Sequence, residues 1–147
     1  MPRTLCDDKD RTELLERLRR LKPDARAQWG KLDAPRMLCH ITDVLRVALG
    51  QITSKPRHNA LGRSLGKLIV VNTSLQAPKG KIDTAPEMMS TTPKAWADDL
   101  RTCEALLTRI GAGEASAVHP AFGPLTPAEW GRMSWKHTDH HLRQFGV

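Results

Sequence analysis

An all-α fold, a four-helix bundle with one long crossover, is predicted by three features of the sequence. Four stretches carry apolar residues at spacings of three and four. Each has its own start or stop signal, and no segment alternates apolar and polar residues as a half-buried strand would. A single irregular stretch of about forty residues separates the second helix from the third, too long for an ordinary bundle turn.

The first helix is predicted over residues 11–22, where Leu14, Leu15, Leu18 and Leu21 form one face. Asp10 is its expected cap, Glu13 stands three residues on as in a capping box, and Pro23 stops it by disfavouring helical geometry at Lys22. The second begins at Asp33 with Pro35 in its first turn and stops at Gly50. Its inner face reads Met37, Ile41, Val44, Leu45 and Ala48, and His40 falls on that face. Residues 51–92 are broken by Pro56, Pro78 and Pro86 and by Asn59, Gly62, Gly66, Asn72 and Gly80; a short helix over residues 60–71 is expected within this crossover. The third long helix starts at Thr92 with Pro93 just inside, carries Trp96, Leu100, Cys103, Leu107 and Ile110 on one stripe, and closes at Gly111. The fourth opens on Thr126, Pro127 and Glu129 and runs to Gln144, with Gly131 as a local weakness of up to about 1 kcal/mol relative to Ala.

Composition narrows the function classes. One domain spanning residues 1–147 is expected from the length, and Ala, Met and Trp must supplement a modest aliphatic content in the core. Trp96, Trp130 and Trp135 are candidates for core or interface, with Trp29 stapling the start of the second helix. No apolar run reaches the roughly 18 residues of a membrane span, and the N-terminus lacks a signal-peptide apolar region, so no membrane association and a cytoplasmic location are expected. Cys6, Cys39 and Cys103 are odd in number and lack a C-x-x-C spacing, which argues against a disulfide framework or a thiolate zinc site. The net charge of +7 is dispersed apart from Arg17, Arg19, Arg20 and Lys22. With no Tyr and two Phe there is little to stack on bases, so nucleic-acid binding is not expected. A homodimer is expected on base rates for a thin-cored bundle.

The histidines carry the chemistry. In the fourth helix Trp130, Met133, His137, His141 and Phe145 share one stripe, so the core-facing side turns from apolar to imidazole. Residues four apart on a helix bring their Cβ atoms within about 5–6 Å, close enough for two rings to converge on one cation at about 2.0–2.1 Å. His137 and His141 are such a pair, and His40 supplies a third ligand from the second helix. Three neutral imidazoles leave a coordination position open, as a catalytic metal requires. A ligand histidine usually donates its other ring N–H to an oxygen, and Asp43 and Gln144 stand one turn from His40 and His141 as candidates for that task. His140, about 100° round the helix from His141, is expected at the rim; His119, before Pro120, is expected to be structural or to line a pocket; His58 is expected to be solvated.

The segments Gln28-Trp29-Gly30-Lys31, Pro35-Arg36-Met37-Leu38-Cys39-His40, His119-Pro120-Ala121-Phe122-Gly123 and Lys136-His137-Thr138-Asp139-His140-His141-Leu142-Arg143-Gln144-Phe145-Gly146 resemble the DinB-like, or YfiT-like, superfamily, and more narrowly a bacterial branch of it described only as a domain of unknown function. The resemblance covers nearly the whole chain and is weakest over residues 51–92. It implies a four-helix bundle with a crossover between the second and third helices and a metal held by His40, His137 and His141. It also implies, from better-studied relatives, an isomerase or S-transferase that uses a low-molecular-weight thiol. The ending common in that superfamily, His-His-Arg-Gly-Gln, stands here as His140-His141-Leu142-Arg143-Gln144, which keeps the glutamine offset and displaces the arginine.

The expected function is therefore a metal-dependent enzyme with a small-molecule substrate. A divalent ion, zinc or nickel, would activate a low-molecular-weight thiol for transfer or isomerisation, or water for hydrolysis. The alternative is a non-catalytic stress protein that binds a metal or small ligand.

Overall fold

A computed structural model describes residues 1–57, 59–76 and 84–147, and among these the chain is mostly helical. The readings placed on His58, Pro78 and Gly80 lie outside the described residues.

Helix α1 spans Asp8–Arg20 and begins three residues earlier than the spacing predicts. The cap is Asp7, whose carboxylate accepts from Asp10 N–H at 3.0 Å. Asp10 and Glu13 are instead held by the Arg3 guanidinium, at 2.7 Å and 2.9 Å, so an arginine outside the helix has claimed the acids that a capping box would use. Helix α2, Ala34–Ala48, has the expected cap, with Asp33 accepting from Arg36 N–H at 2.9 Å. Burial here is not confined to one face: Leu38, Cys39, Thr42, Asp43 and Val47 are buried together with the apolar stripe. The helix packs against α4 (Trp96–Gly111), α5 (Pro127–Gln144) and a 3-10 turn at Pro86–Met89, which makes it the central element. Gly50, at φ +72°, ends it in the left-handed geometry that a side chain disfavours.

Within the crossover, a π-helical turn at Gly62–Gly66 leads into the short helix α3, Lys67–Asn72, so the expected helix over 60–71 forms in two pieces. It is fastened to α5 by Lys136, whose ammonium donates to the Val70 and Thr73 carbonyls at 2.8 and 3.0 Å, and by Arg132 on Asn72. Helix α4 starts four residues later than Thr92. The Asp99 carboxylate accepts from Lys94 N–H at 2.9 Å, and Ala95 remains extended, so Pro93 belongs to the approach and not to the first turn. A two-residue antiparallel ladder, β1 at Val118–His119 with β2 at Gly123–Pro124, was not expected; strands this short have no alternation to read.

Helix α5 has the expected limits and the full capping box: Glu129 N–H donates to Thr126 Oγ1 at 3.2 Å and Thr126 N–H to the Glu129 carboxylate at 2.8 Å. Gly131 is a point of close approach as well as a propensity cost. A Cβ there would lie 2.6 Å from Cys6 Sγ and 2.8 Å from Thr4 Oγ1, and the Gly131 carbonyl accepts from Leu5 N–H.

One apolar cluster joins Leu14 and Leu18 of α1, Met37, Ile41 and Leu45 of α2, Cys103, Leu107 and Ile110 of α4, and Trp130 and Leu142 of α5. Trp130 and Trp135 are core residues whose indole N–H groups donate to the Ala117 and Asp10 carbonyls. Trp96 is half-buried at the edge of the cluster. An ion pair at 2.7 Å between Arg17 and Asp139 links α1 to the side of α5 away from the histidines. Among the described residues no helix is long and apolar enough to cross a membrane.

Candidate metal centre

Two helices bring three imidazoles together. His137 and His141, one turn apart on α5, have ring centroids 4.7 Å apart; His40, from α2, stands 4.9 Å from each. One ring nitrogen from each of the three falls within 4.8 Å of the others, a spacing at which they could hold a metal ion.

Two of the rings are oriented from behind. His40 Nδ1 lies 2.8 Å from the Met88 carbonyl, and because a carbonyl only accepts, Nδ1 carries the proton. His141 Nδ1 lies 2.8 Å from Gln144 Oε1, while the Gln144 amide donates to the Trp29 carbonyl at 2.6 Å, which fixes the amide's sense. Both rings therefore turn a lone pair on Nε2 toward the centre. His40 Nε2 and His137 Nε2 are 3.1 Å apart, close to the roughly 3.3 Å that separates two nitrogens bound at about 2.05 Å to one tetrahedral ion.

Burial pushes all three imidazoles toward the neutral form. The His141 pKa falls to about 4, that of His40 falls below the ordinary histidine value, and that of His137 falls well below it, lowered by burial first and then by the neighbouring rings. Neutral imidazole is the form that could bind a metal ion. The thiols lie outside this set, and burial raises Cys39 to about 11 and Cys103 to about 12.

The centre opens into a cavity of about 360 Å³ whose walls include Val44, Val70, Ala85, Met88, Phe122 and Met133. His119 and His140 both line it. His140 stands between Trp29, 6.0 Å away, and His141, 5.3 Å away. Trp29 thus docks on the end of α5, where its carbonyl also accepts from the Gln144 amide.

Gln144 Oε1 lies behind the His141 ring, one turn along α5. Among the described residues the Asp43 carboxylate is not hydrogen-bonded to a histidine: it accepts from Thr91 N–H at 2.8 Å and from the Thr91 and Ser90 hydroxyls, and pairs with Arg46. It anchors the segment that follows the Pro86–Met89 turn, and that turn supplies the carbonyl on His40. Sequence reasoning had no access to the Met88 carbonyl, a backbone acceptor 48 residues from its partner. Lys136 and Arg57 also line the cavity unforeseen. Lys136 had a signal, since it immediately precedes His137.

Fold and site together define a helical protein with a three-histidine candidate metal centre. The chain belongs to DUF1569, a family of proteins of unknown function, whose model matches residues 6–146. No curated protein matches the chain significantly. No solved structure does so either.

Proposed function

We propose that this chain is a single-domain metalloenzyme of DinB-like, or YfiT-like, architecture. In this reading α1, α2, α4 and α5 are the four bundle helices, residues 49–95 are the crossover, and His40, His137 and His141 hold zinc or nickel. The observation that carries it is the convergence of three neutral imidazoles, two aimed by hydrogen bonds behind them, at a cavity large enough for a small molecule. A cation held there would lower the pKa of a low-molecular-weight thiol or of water in a remaining coordination position and turn it into a nucleophile.

The chain's own part is to orient and to exclude water. Met88 and Gln144 fix the ring tautomers, and Val44, Val70, Ala85, Phe122 and Met133 keep the space dry, so that charge developing there is poorly screened. Thiol transfer stands ahead of hydrolysis on the resemblance of the histidine-bearing segments to thiol-using proteins. A cytoplasmic location and a homodimer complete the proposal.

A cobalt-substituted sample tests it. Titration with small thiols and with azide is expected to change the visible spectrum, and turnover of a chromogenic electrophile should then depend on one of the thiols. A spectrum indifferent to both ligands would contradict the enzymatic reading. It would favour a non-catalytic metal- or ligand-binding protein, for which the mostly apolar cavity wall already speaks.

A further inference from the structure

His119 is a further imidazole at the same cavity, itself buried, and its two nitrogens are not equivalent. Nδ1 accepts from two backbone N–H groups, those of Ala121 at 3.0 Å and Phe122 at 3.1 Å, across the turn between β1 and β2. A nitrogen that accepts twice carries no proton, so the neutral ring has its hydrogen on Nε2. The ring is clamped by stacking on Phe122, centroids 4.6 Å apart, and by Trp130 at 5.3 Å. Among the described residues nothing accepts from Nε2, and it is not one of the sealed polar atoms left without a partner, while His119 itself lines the cavity. It lies close enough to His137 to affect that ring's charge.

Three other polar side chains at the cavity are already engaged. The Lys136 ammonium donates to two carbonyls, Arg57 is paired with Glu87, and both ends of the Gln144 amide are used. Two cations committed to the protein leave little to attract an anion, and the walls are mostly apolar.

We infer that His119 is a positioning residue whose Nε2–H donates to a neutral oxygen acceptor, such as a carbonyl, on a small and otherwise apolar ligand bound over the three histidines. Protonating Nδ1 would break both backbone bonds, so the ring acts as a fixed neutral donor and does not shuttle a proton. Burial, which holds its pKa at about 4, works in the same direction. The inference rests on the reading of this cavity as a ligand site, but it needs no metal there.

The probes are acetophenone and its hydrocarbon isostere α-methylstyrene, titrated into the full chain after dialysis against a chelator and again after zinc loading. Their affinities are followed by ligand-observed NMR and by the carbonyl ¹³C shift. Two variants separate donor from scaffold. His119→Asn keeps an oxygen where Nδ1 accepts and removes the Nε2 donor; His119→Gln places an N–H near Nε2 and removes the turn's acceptor.

The wild type is expected to bind the ketone about tenfold tighter than the hydrocarbon, with a downfield carbonyl shift, whether or not zinc is present. His119→Asn should bring the ratio near one while leaving α-methylstyrene affinity within about twofold, and His119→Gln should retain part of the preference. A wild-type ratio near one, or a preference unchanged in His119→Asn, would overturn the inference. A preference that appears only with zinc would assign ketone recognition to the metal and overturn it as well. Loss of the metal reading registers separately, as failure to take up zinc with the ketone preference intact.

Discussion

The Gln144 side chain lies against His141, Oε1 to Nδ1 at 2.8 Å, and ties that ring through its own amide to the Trp29 carbonyl. One glutamine thereby sets the His141 tautomer and connects the end of α5 to the loop before α2. Gln144→Ala should lower zinc affinity about 10–100-fold while leaving the helix formed. Competition with a chromophoric chelator measures this; an unchanged affinity would remove Gln144 from the account.

Gly30 makes the same contact testable from the other side. A Cβ at this position, where φ is +82°, would lie 2.2 Å from Gln144 Nε2. Gly30→Ala is expected to displace the amide and weaken zinc binding in the manner of Gln144→Ala. Gly50→Ala is the control, because Gly50 has a similar φ of +72° and open space around it. It should lower stability by about 1–2 kcal/mol and leave metal affinity alone.

Acid should destabilise the metal-free protein through His119. Its folded pKa is about 4 against an ordinary 6.5, so between those values the unfolded chain binds more protons than the folded one. The stabilisation is complete above about pH 6.5 and is lost as the pH falls toward 4. From pH 7 to 5 this amounts to roughly 2 kcal/mol for a single group. Denaturant titrations should find a correspondingly smaller loss over that interval in His119→Asn; equal losses would show that His119 is not held neutral.

The helix that carries His137 and His141 depends on its first turn. Thr126→Ala breaks the capping box with Glu129 and is expected to cost about 1 kcal/mol in chemical denaturation. Zinc affinity should be unaffected, because His137 and His141 sit about three turns or more beyond the cap, in the second half of α5. A large affinity loss would mean that fraying at Thr126 reaches His137.

Local chemistry made α5 legible. The Thr126 cap, Pro127, the acid at Glu129 and the passage from Met133 to His137 and His141 are all close in sequence, and so the helix limits and the two clustered histidines could be read together. His40 was legible for the same reason, as one polar residue on an apolar face. Whatever depended on distant partners was hidden: Arg3 drew Asp10 and Glu13 away from a capping role, and Asp43 turned to Ser90 and Thr91. The all-round burial of α2 was likewise unreadable from one stripe, because Cys39, Thr42 and Asp43 are covered by segments whose position the sequence does not state. The tautomer of His119 depends on the turn at residues 120–122, too short a feature to carry a periodic signal.

The central claim is that His40, His137 and His141 hold a divalent ion. Metal content by mass spectrometry, on untagged protein purified without chelators beside His137→Ala of equal helicity, tests it most directly. About one zinc or nickel per chain in the wild type, lost in the variant, is the predicted result. No bound metal in the wild type even after reconstitution, or equal metal in both proteins, would contradict it.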